Sequence, residues 1–184
     1  MRNNIKQYQK KLLQSIENLE IDSIEQIANI FLKARKEGKV IYTMGNGGSG
    51  STASHMVCDI IKGCSYNRKE KFKIFCLNDN ISTILAYSND VSYDVIFEEQ
   101  LKNILNDGDI VLAISGSGNS KNIINAVKYA KAKNAFVVGF TGYDGGMLKK
   151  LSDISLNANI NDMQISEDIH VIVMHILYTL LNDE

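Results

Sequence analysis

Two segments of the chain combine glycine with serine and asparagine in a pattern that suits anion binding. Residues 45–51 read GNGGSGS and residues 115–120 read SGSGNS. Glycine lets the backbone turn its N–H groups toward a bound anion, and a helix that starts there adds favourable potential. Serine hydroxyls can donate to phosphate oxygens. Either loop alone is compatible with a tight strand-to-helix turn, but the two together predict a site for a phosphomonoester.

Neither loop is typical of nucleotide binding. Residues 116–121 begin like the dinucleotide-binding pattern GxGxxG but lack its third glycine, and no GK[ST] follows either loop as it would in a P-loop. Both segments also contain more serine than a pyrophosphate loop needs. We therefore expect no nucleotide cofactor.

Histidine and carboxylate residues are the next candidates for chemistry. The chain has three histidines, His55, His170 and His175. His55 and Asp59 are four residues apart, so on a helix they share one face. Such a pair either binds a divalent metal or forms a structural hydrogen bond, and the sequence leaves both open. For His170 we expect a structural or subunit-contact role.

Alternating strands and helices are predicted to position these residues. Short β-rich runs fall at 39–44, 71–77, 110–115, 135–140 and 153–157, and helical patterns at 51–62, 81–87, 93–105, 120–133 and 167–181. Nearly continuous apolar strands indicate a parallel sheet covered by helices on both faces. Such sheets bind ligands at the carboxyl ends of their strands, which is where both glycine–serine loops fall.

Two amphipathic helices are predicted to precede the sheet, within residues 1–37. The first has an apolar stripe at helical spacing: Ile5, Tyr8, Leu12, Ile16 and Leu19. Ser23 and Gln26 predict a capping box at the start of the second. These helices either cover the sheet or pair with another subunit. We expect one α/β domain, 1–184, with its core in residues 38–184.

Composition excludes several classes of protein. Lys and Arg number 20 against 21 Asp and Glu, and a net charge of −1 gives no reason to expect nucleic acid or an anionic membrane as partner. No segment approaches the ~20 apolar residues of a membrane span, and the polar N-terminus lacks a signal-peptide core. The three cysteines form no CxxC pair, so neither a disulfide framework nor a zinc ribbon is expected. We expect a cytoplasmic protein.

Four segments together resemble the SIS (sugar isomerase) domain family, and within it the phosphoheptose isomerases. They are residues 45–49, residues 115–120, TGYDGG at 141–146, and EDIH at 167–170 with His175. The resemblance covers almost the whole chain. It implies a five-stranded parallel sheet between helices and a homotetramer with active sites at subunit interfaces. It also implies conversion of sedoheptulose 7-phosphate to D-glycero-D-manno-heptose 7-phosphate for heptose-containing glycans.

The resemblance also implies roles for particular residues. The positions that would contact substrate are Asn46, Gly47, Gly48, Ser49, Asn89, Asp90, Ser115, Gly116, Ser117 and Ser120. Ketose–aldose isomerisation moves a proton through an enediol and needs a base and an acid, and Asp59, Glu167 and His175 are the implied catalytic residues. Some family members bind zinc, at positions that correspond here to His55, Asp59, Glu167 and His175.

This chain departs from the family at two of those four positions. The family has Glu where Asp59 stands and Gln where Glu167 stands, so the two changes either compensate for each other or mark a different sugar phosphate. Residues 167 and 175 would also lie ~12 Å apart along one straight helix. A non-catalytic sugar-phosphate-binding regulator is the alternative function, but retention of His55 and His175 favours an enzyme.

Overall fold

The computed structural model describes residues 1–183, and it begins with two helices. Helix α1 spans Arg2–Glu17 and α2 spans Ile21–Glu37. Helix α2 buries Ile24, Ile27 and Phe31 in the core. Helix α1 is mostly exposed, and only the C-terminal part of its predicted stripe packs on the core, whereas Ile5 remains 56% exposed.

The predicted capping box at the start of α2 is wrong. The helix begins at Ile21, with Glu20 at the N-cap and no side-chain capping bond. Ser23 lies inside the first turn, and its hydroxyl donates to the Glu20 carboxylate at 3.1 Å. The helix therefore begins three residues before the position that the sequence motif predicted.

Strands and helices then alternate to the end of the described chain. In order they are β1 (Val40–Gly45), α3 (Gly47–Lys62), β2 (Lys73–Cys76), α4 (Ile81–Asp90), a 3₁₀ turn (Tyr93–Val95), α5 (Ile96–Ile104), β3 (Ile110–Ser115), α6 (Lys121–Ala132), β4 (Phe136–Thr141), α7 (Gly146–Leu151), β5 (Ile154–Asn157) and α8 (Met163–Asp183). Among residues 1–183, no helix has the length and hydropathy needed to cross a bilayer.

The five strands form one parallel sheet, as predicted, in the order β2-β1-β3-β4-β5. Alternate side chains of the central strands enter two apolar cores. Ile41 and Leu112 lie in the core under α2, α3 and α8, whereas Met44 and Val111 lie in the core under α5 and α6. Burial on both faces explains why these strands read as continuous apolar runs.

Strand order reverses between β1 and β3, because the chain goes from β1 outward to β2 and then returns to β3 on the other side. In open α/β sheets a crevice for ligands opens at this point, outside the carboxyl ends of the two strands. The two glycine–serine loops follow these two strands.

Besides α2, two helices begin before the residue expected from the sequence, and one helix was not expected. Helix α3 begins at Gly47, four residues early, and α8 begins at Met163, also four residues early. Helix α7 was not predicted at all. Glycine at 47, 48, 50, 145 and 146 disfavours helix locally, so tertiary packing decides the starts of α3 and α7.

His170 is the buried titratable group of α8. It is 1% exposed, and its Nε2 donates to the Thr141 carbonyl oxygen at 3.1 Å. Its Nδ1 is buried without a hydrogen-bond partner in the structure. Burial lowers the pKa of His170 to about 4, and the bond to Thr141 only partly opposes this. The structural role expected for His170 fits this position.

We therefore expect stability to fall on acidification because of His170. An unfolded histidine has a pKa near 6.5, so the unfolded state binds the proton first. The stabilising contribution is fully present above about pH 6.5 and is lost progressively toward pH 4. Between pH 7 and pH 5 the loss should be about 2 kcal/mol.

Urea unfolding of wild type and His170→Gln at both pH values, at one protein concentration, measures this effect. The wild type should lose the stated free energy, and the variant should lose much less. Equal losses in the two proteins would show that His170 does not control the acid sensitivity.

Candidate active site

Two helix N-termini converge at the carboxyl ends of β1 and β3. Asn46 is the N-cap of α3 and Ser120 is the N-cap of α6. Both residue types usually accept a hydrogen bond from the first turn of their own helix. Neither side chain does so here. The first N–H groups of α3 and those of Lys121 and Asn122 in α6 are therefore left for a ligand, whereas the Ile123 N–H donates to Asn122 Oδ1.

A cavity of about 140 Å³ lies between the two loops. Most of its lining residues are polar, and its one charged side chain is the carboxylate of Glu167. The lining residues are Asn46, Ser49, Ile114, Ser115, Gly116, Ser117, Ser120, Met163 and Glu167. Pockets that enclose a whole small molecule usually have roughly 300–1,000 Å³, so this cavity suits one phosphate group, with the rest of the ligand outside.

A larger cavity, of about 390 Å³, lies at the opposite edge of the sheet. It is lined by residues that precede the strands, such as Lys39, Gly108 and Phe136. Parallel sheets do not bind their ligands at this amino edge. The smaller cavity is therefore the candidate site.

The serine loop is held in shape by α7. Gly118 has φ +66°, and a Cβ there would lie 2.1 Å from the Gly145 carbonyl oxygen, so only glycine fits. Asn119 accepts a hydrogen bond from the Met147 N–H at 3.0 Å. Within the loop, the Ser115 and Ser120 hydroxyls lie 3.3 Å apart. The unpredicted helix thus fixes the predicted loop.

Three of the four predicted metal ligands come together on α3 and α8. Asp59 Oδ2 lies 3.4 Å from His55 Nε2 and 3.9 Å from His175 Nε2. One ligand atom from each residue lies within 4.8 Å of the others. Tetrahedral zinc, bound at roughly 2.05 Å, holds its ligand atoms roughly 3.3 Å apart. Small side-chain rotations would therefore let this His–Asp–His group hold a divalent metal with one position open.

Glu167, the fourth predicted ligand, lies elsewhere. It lines the small cavity, and both carboxylate oxygens are so close to Gly48 that a Cβ on that residue would lie 2.9 Å from each. Glu167 is not part of the His–Asp–His group. It precedes His175 by eight residues, or ~12 Å along α8, which is the separation expected from the sequence.

Asn89 and Asp90 do not line the cavity of this chain. They are exposed at the end of α4, where the Asn89 amide donates to the Asp90 carboxylate at 2.7 Å. Gly47 and Gly48 are exposed on the first turn of α3. Substrate contacts by Asn89 and Asp90 remain predictions, and they need either a ligand that extends beyond the cavity or a second subunit.

Sequence reasoning missed two residues next to the cavity, Tyr93 and Asn122. Both make side-chain hydrogen bonds to Asn46. The sequence offered one signal for Asn122. It lies in the first turn of α6, which already has Ser120 at its N-cap, so the asparagine is not needed as a cap.

The sequence and the fold are similar to those of known proteins. A family model described as the SIS domain matches residues 6–142. A probable phosphoheptose isomerase of Thermoplasma acidophilum is 35% identical over 91% of this chain and 91% of its own. A phosphoheptose isomerase of Helicobacter hepaticus is 33% identical over 88% of this chain and 82% of its own. The structure of a phosphoheptose isomerase from Francisella tularensis, 27% identical, superposes with a TM-score of 0.92 over 99% of this chain and 98% of its own.

The fold defines a doubly wound α/β domain with a small cavity, the candidate anion site, at its switch point. The chain belongs to the SIS domain family. Within that family its sequence places it in the phosphoheptose isomerase branch, and it is an enzyme of the isomerase class.

Proposed function

We propose that this protein is a sugar-phosphate isomerase that converts sedoheptulose 7-phosphate to D-glycero-D-manno-heptose 7-phosphate, for use in heptose-containing glycans. The observation that carries the proposal is the pairing of two sites on α3. The uncapped N-terminus of α3 borders the small cavity, and the His–Asp–His group lies on the same helix. His55 follows Gly47 by eight residues, or ~12 Å of helix, a distance suited to an extended sugar phosphate rather than to free phosphate.

The phosphate is proposed to bind in the small cavity. The hydroxyls of Ser115, Ser117 and Ser120 would donate to its oxygens, and Ser49 and the N–H groups of both helices would complete the shell. Since no cation lines the cavity, the helix N-termini would supply the positive potential. Gly47, Gly48 and Gly116 let the backbone approach the ligand closely.

The reaction needs one proton to move between neighbouring carbons. A base removes the proton from C1 of the ketose while the C2 carbonyl oxygen gains one, which forms an enediol. Return of a proton to C2, with loss of the proton from the C1 hydroxyl, gives the aldose. In a metal-free site, Asp59 and His175, whose side chains lie within reach of each other, are proposed to carry these protons; the alternative is that both side chains hold a metal. Glu167, which lines the small cavity, would contact the substrate near its phosphate group.

A divalent metal, most simply zinc, would fit His55, Asp59 and His175 as a three-residue site with an open position. When bound, it would polarise the substrate carbonyl oxygen as a Lewis acid. Glu167 would become a fourth ligand only through a change in its side chain or from a neighbouring subunit. Metal analysis of freshly purified protein tests this part of the proposal.

A homotetramer with active sites at subunit interfaces is also proposed. Apolar side chains remain exposed on two helices that face away from the core, among them Ile5 and Leu13 on α1 and Leu85 on α4. Closed symmetric assemblies bury such surfaces, and a second subunit would enclose the open part of the site. Light scattering that shows a monomer at micromolar concentration would contradict this.

The direct test of function is incubation with sedoheptulose 7-phosphate, followed by NMR of the products. The buffer should match the cytoplasm, where we propose that this enzyme acts. A seven-carbon aldose phosphate should accumulate to equilibrium. Unchanged substrate, under conditions in which the protein binds it, would overturn the proposal in favour of a binding protein.

The two positions that depart from the family should act independently. Because Asp59 and Glu167 lie in separate parts of the site, the losses caused by Asp59→Glu and Glu167→Gln should add within about 0.5 kcal/mol. The rates of both single variants and of the double variant measure this. Better activity in the double variant than in either single one would instead show that the two changes compensate for each other.

A further inference from the structure

A pair of facing amides joins the two loops of the site. The Asn46 amide donates to Asn122 Oδ1 at 2.9 Å, and the Asn122 amide donates to Asn46 Oδ1 at 2.8 Å. The Tyr93 hydroxyl donates to the same Asn46 oxygen at 2.9 Å. Asn122 is 2% exposed. The N-cap of α3 is thereby held to the first turn of α6, across the switch point.

The hydrogen bonds fix which way each amide faces. The Ile123 N–H donates to Asn122 Oδ1 at 3.0 Å. Since a backbone N–H is always a donor, the atom it meets must be the oxygen. The Asn46 nitrogen must then face that oxygen, and the Asn46 oxygen faces the Asn122 nitrogen. Rotating one amide by 180° would place nitrogen against nitrogen and oxygen against oxygen. Rotating both would place the Asn122 nitrogen against the Ile123 N–H.

This orientation limits what Asn46 can offer a ligand. An amide oxygen accepts two hydrogen bonds and an amide nitrogen donates two. Asn122 and Tyr93 use both acceptor positions of Asn46, and Asn122 uses one donor position. One N–H remains, on a residue that lines the cavity. Asn46 can therefore only donate, to an oxygen of the ligand.

The same bonds explain why Asn46 leaves the end of α3 uncapped. An N-cap asparagine normally accepts from the helix, but both acceptor positions of this one are taken. The network thus frees the first N–H groups of α3 and leaves one amide N–H of Asn46, a residue that lines the cavity, for a ligand.

We propose that Asn122 and Tyr93 are positioning residues, which hold the Asn46 amide so that its remaining N–H donates to an oxygen of the sugar chain next to the bound phosphate. The role rests on the proposed function, because it concerns the sugar part of a sugar phosphate. Neither residue touches the substrate itself. Each acts through Asn46.

A double-mutant cycle on kcat/KM tests this role. Asn122→Ala should lower kcat/KM roughly ten- to hundredfold, because a misplaced substrate-orienting group is costly. In an Asn46→Ala background the same change should cost less than about twofold. Tyr93→Phe, which removes one hydroxyl from a half-exposed ring, should show the same dependence on Asn46 with a smaller loss. Equal losses in both backgrounds would overturn the proposal.

Affinity for inorganic phosphate separates positioning from general damage. It should stay within about twofold in Asn122→Ala and Tyr93→Phe, because neither residue lines the phosphate cavity and the serine loop is untouched. The matched control is Gln100→Ala, which removes another buried amide with two bonds to main-chain carbonyls, outside the cavity. Its stability should fall while its kcat/KM stays near that of wild type. A parallel loss of phosphate affinity and kcat/KM in Asn122→Ala would mean that its role is only structural.

Binding of a seven-carbon sugar-acid phosphate, measured by calorimetry, separates this inference from the proposed function. If the wild type turns over no heptulose phosphate, the proposed reaction fails. The double-mutant cycle of Asn46 and Asn122 can then be measured on the affinity for this ligand instead of on kcat/KM. A loss that depends on Asn46 supports the positioning role of Asn122, and additive losses overturn it.

Discussion

Replacing Asp59 with asparagine should lower kcat on sedoheptulose 7-phosphate by roughly 10²- to 10⁴-fold, the usual effect of losing a general acid–base group. Asp59 is the member of the His–Asp–His group that lies close to both histidines. Asparagine keeps the shape but cannot take up a proton, and it is a weaker metal ligand. KM should change much less, because Asp59 lies about three helical turns from the N-terminus of α3, which borders the proposed phosphate site.

The measurement is a steady-state rate together with the metal content of the same sample. Glu98→Gln is a suitable control, since Glu98 is a carboxylate of α5 paired with Lys102 at 2.9 Å, outside the site. The control should keep wild-type activity. An Asp59→Asn variant with more than about a tenth of wild-type kcat would remove Asp59 from the acid–base role.

Replacing Ser117 and Ser120 together with alanine should weaken substrate binding about a hundredfold or more. Hydrogen bonds to charged groups contribute about 1.5–3 kcal/mol each, so two lost bonds cost about 3 kcal/mol or more, and every 1.4 kcal/mol is about tenfold in Kd. Both hydroxyls line a cavity without a cation. The remaining helix N–H groups cannot replace them.

Calorimetry with substrate and with inorganic phosphate measures this effect. Both ligands should lose affinity by a similar factor, because the serines are proposed to contact only the phosphate. The control pair is Ser23→Ala with Ser152→Ala, two serines whose hydroxyls bond elsewhere, to Glu20 and to the Leu148 carbonyl. Unchanged substrate affinity in the folded Ser117/Ser120 variant would remove the serine loop from the phosphate site.

Local patterns in the sequence were sufficient to predict the sheet and its loops. Nearly continuous apolar runs marked the three central strands, because strands buried on both faces carry mostly apolar side chains. The edge strands β2 and β5 are shorter and less completely buried. Glycine and serine marked the two loops, because backbone turns and anion contacts require those residue types at the strand ends. The i, i+4 spacing of His55 and Asp59 was enough to place them together, and the structure does so.

Only the tertiary structure decided how residues far apart in the sequence meet. His175 joins Asp59 across two packed helices, whereas Glu167, on the same helix, faces the serine loop instead. The rise of a straight helix separates residues eight positions apart by two turns, so one helix serves two places in the site. The start of α7 after two glycines likewise depends on its contacts with the serine loop.

The amide pair of Asn46 and Asn122 shows the limit of sequence reasoning most clearly. The two residues are 76 positions apart, and each would be expected to cap its own helix or turn. Strand order places β1 beside β3, and that neighbourhood brings the two amides face to face. Local chemistry was enough to predict that these loops hold an anion, whereas the order of the strands determined which side chains meet between them.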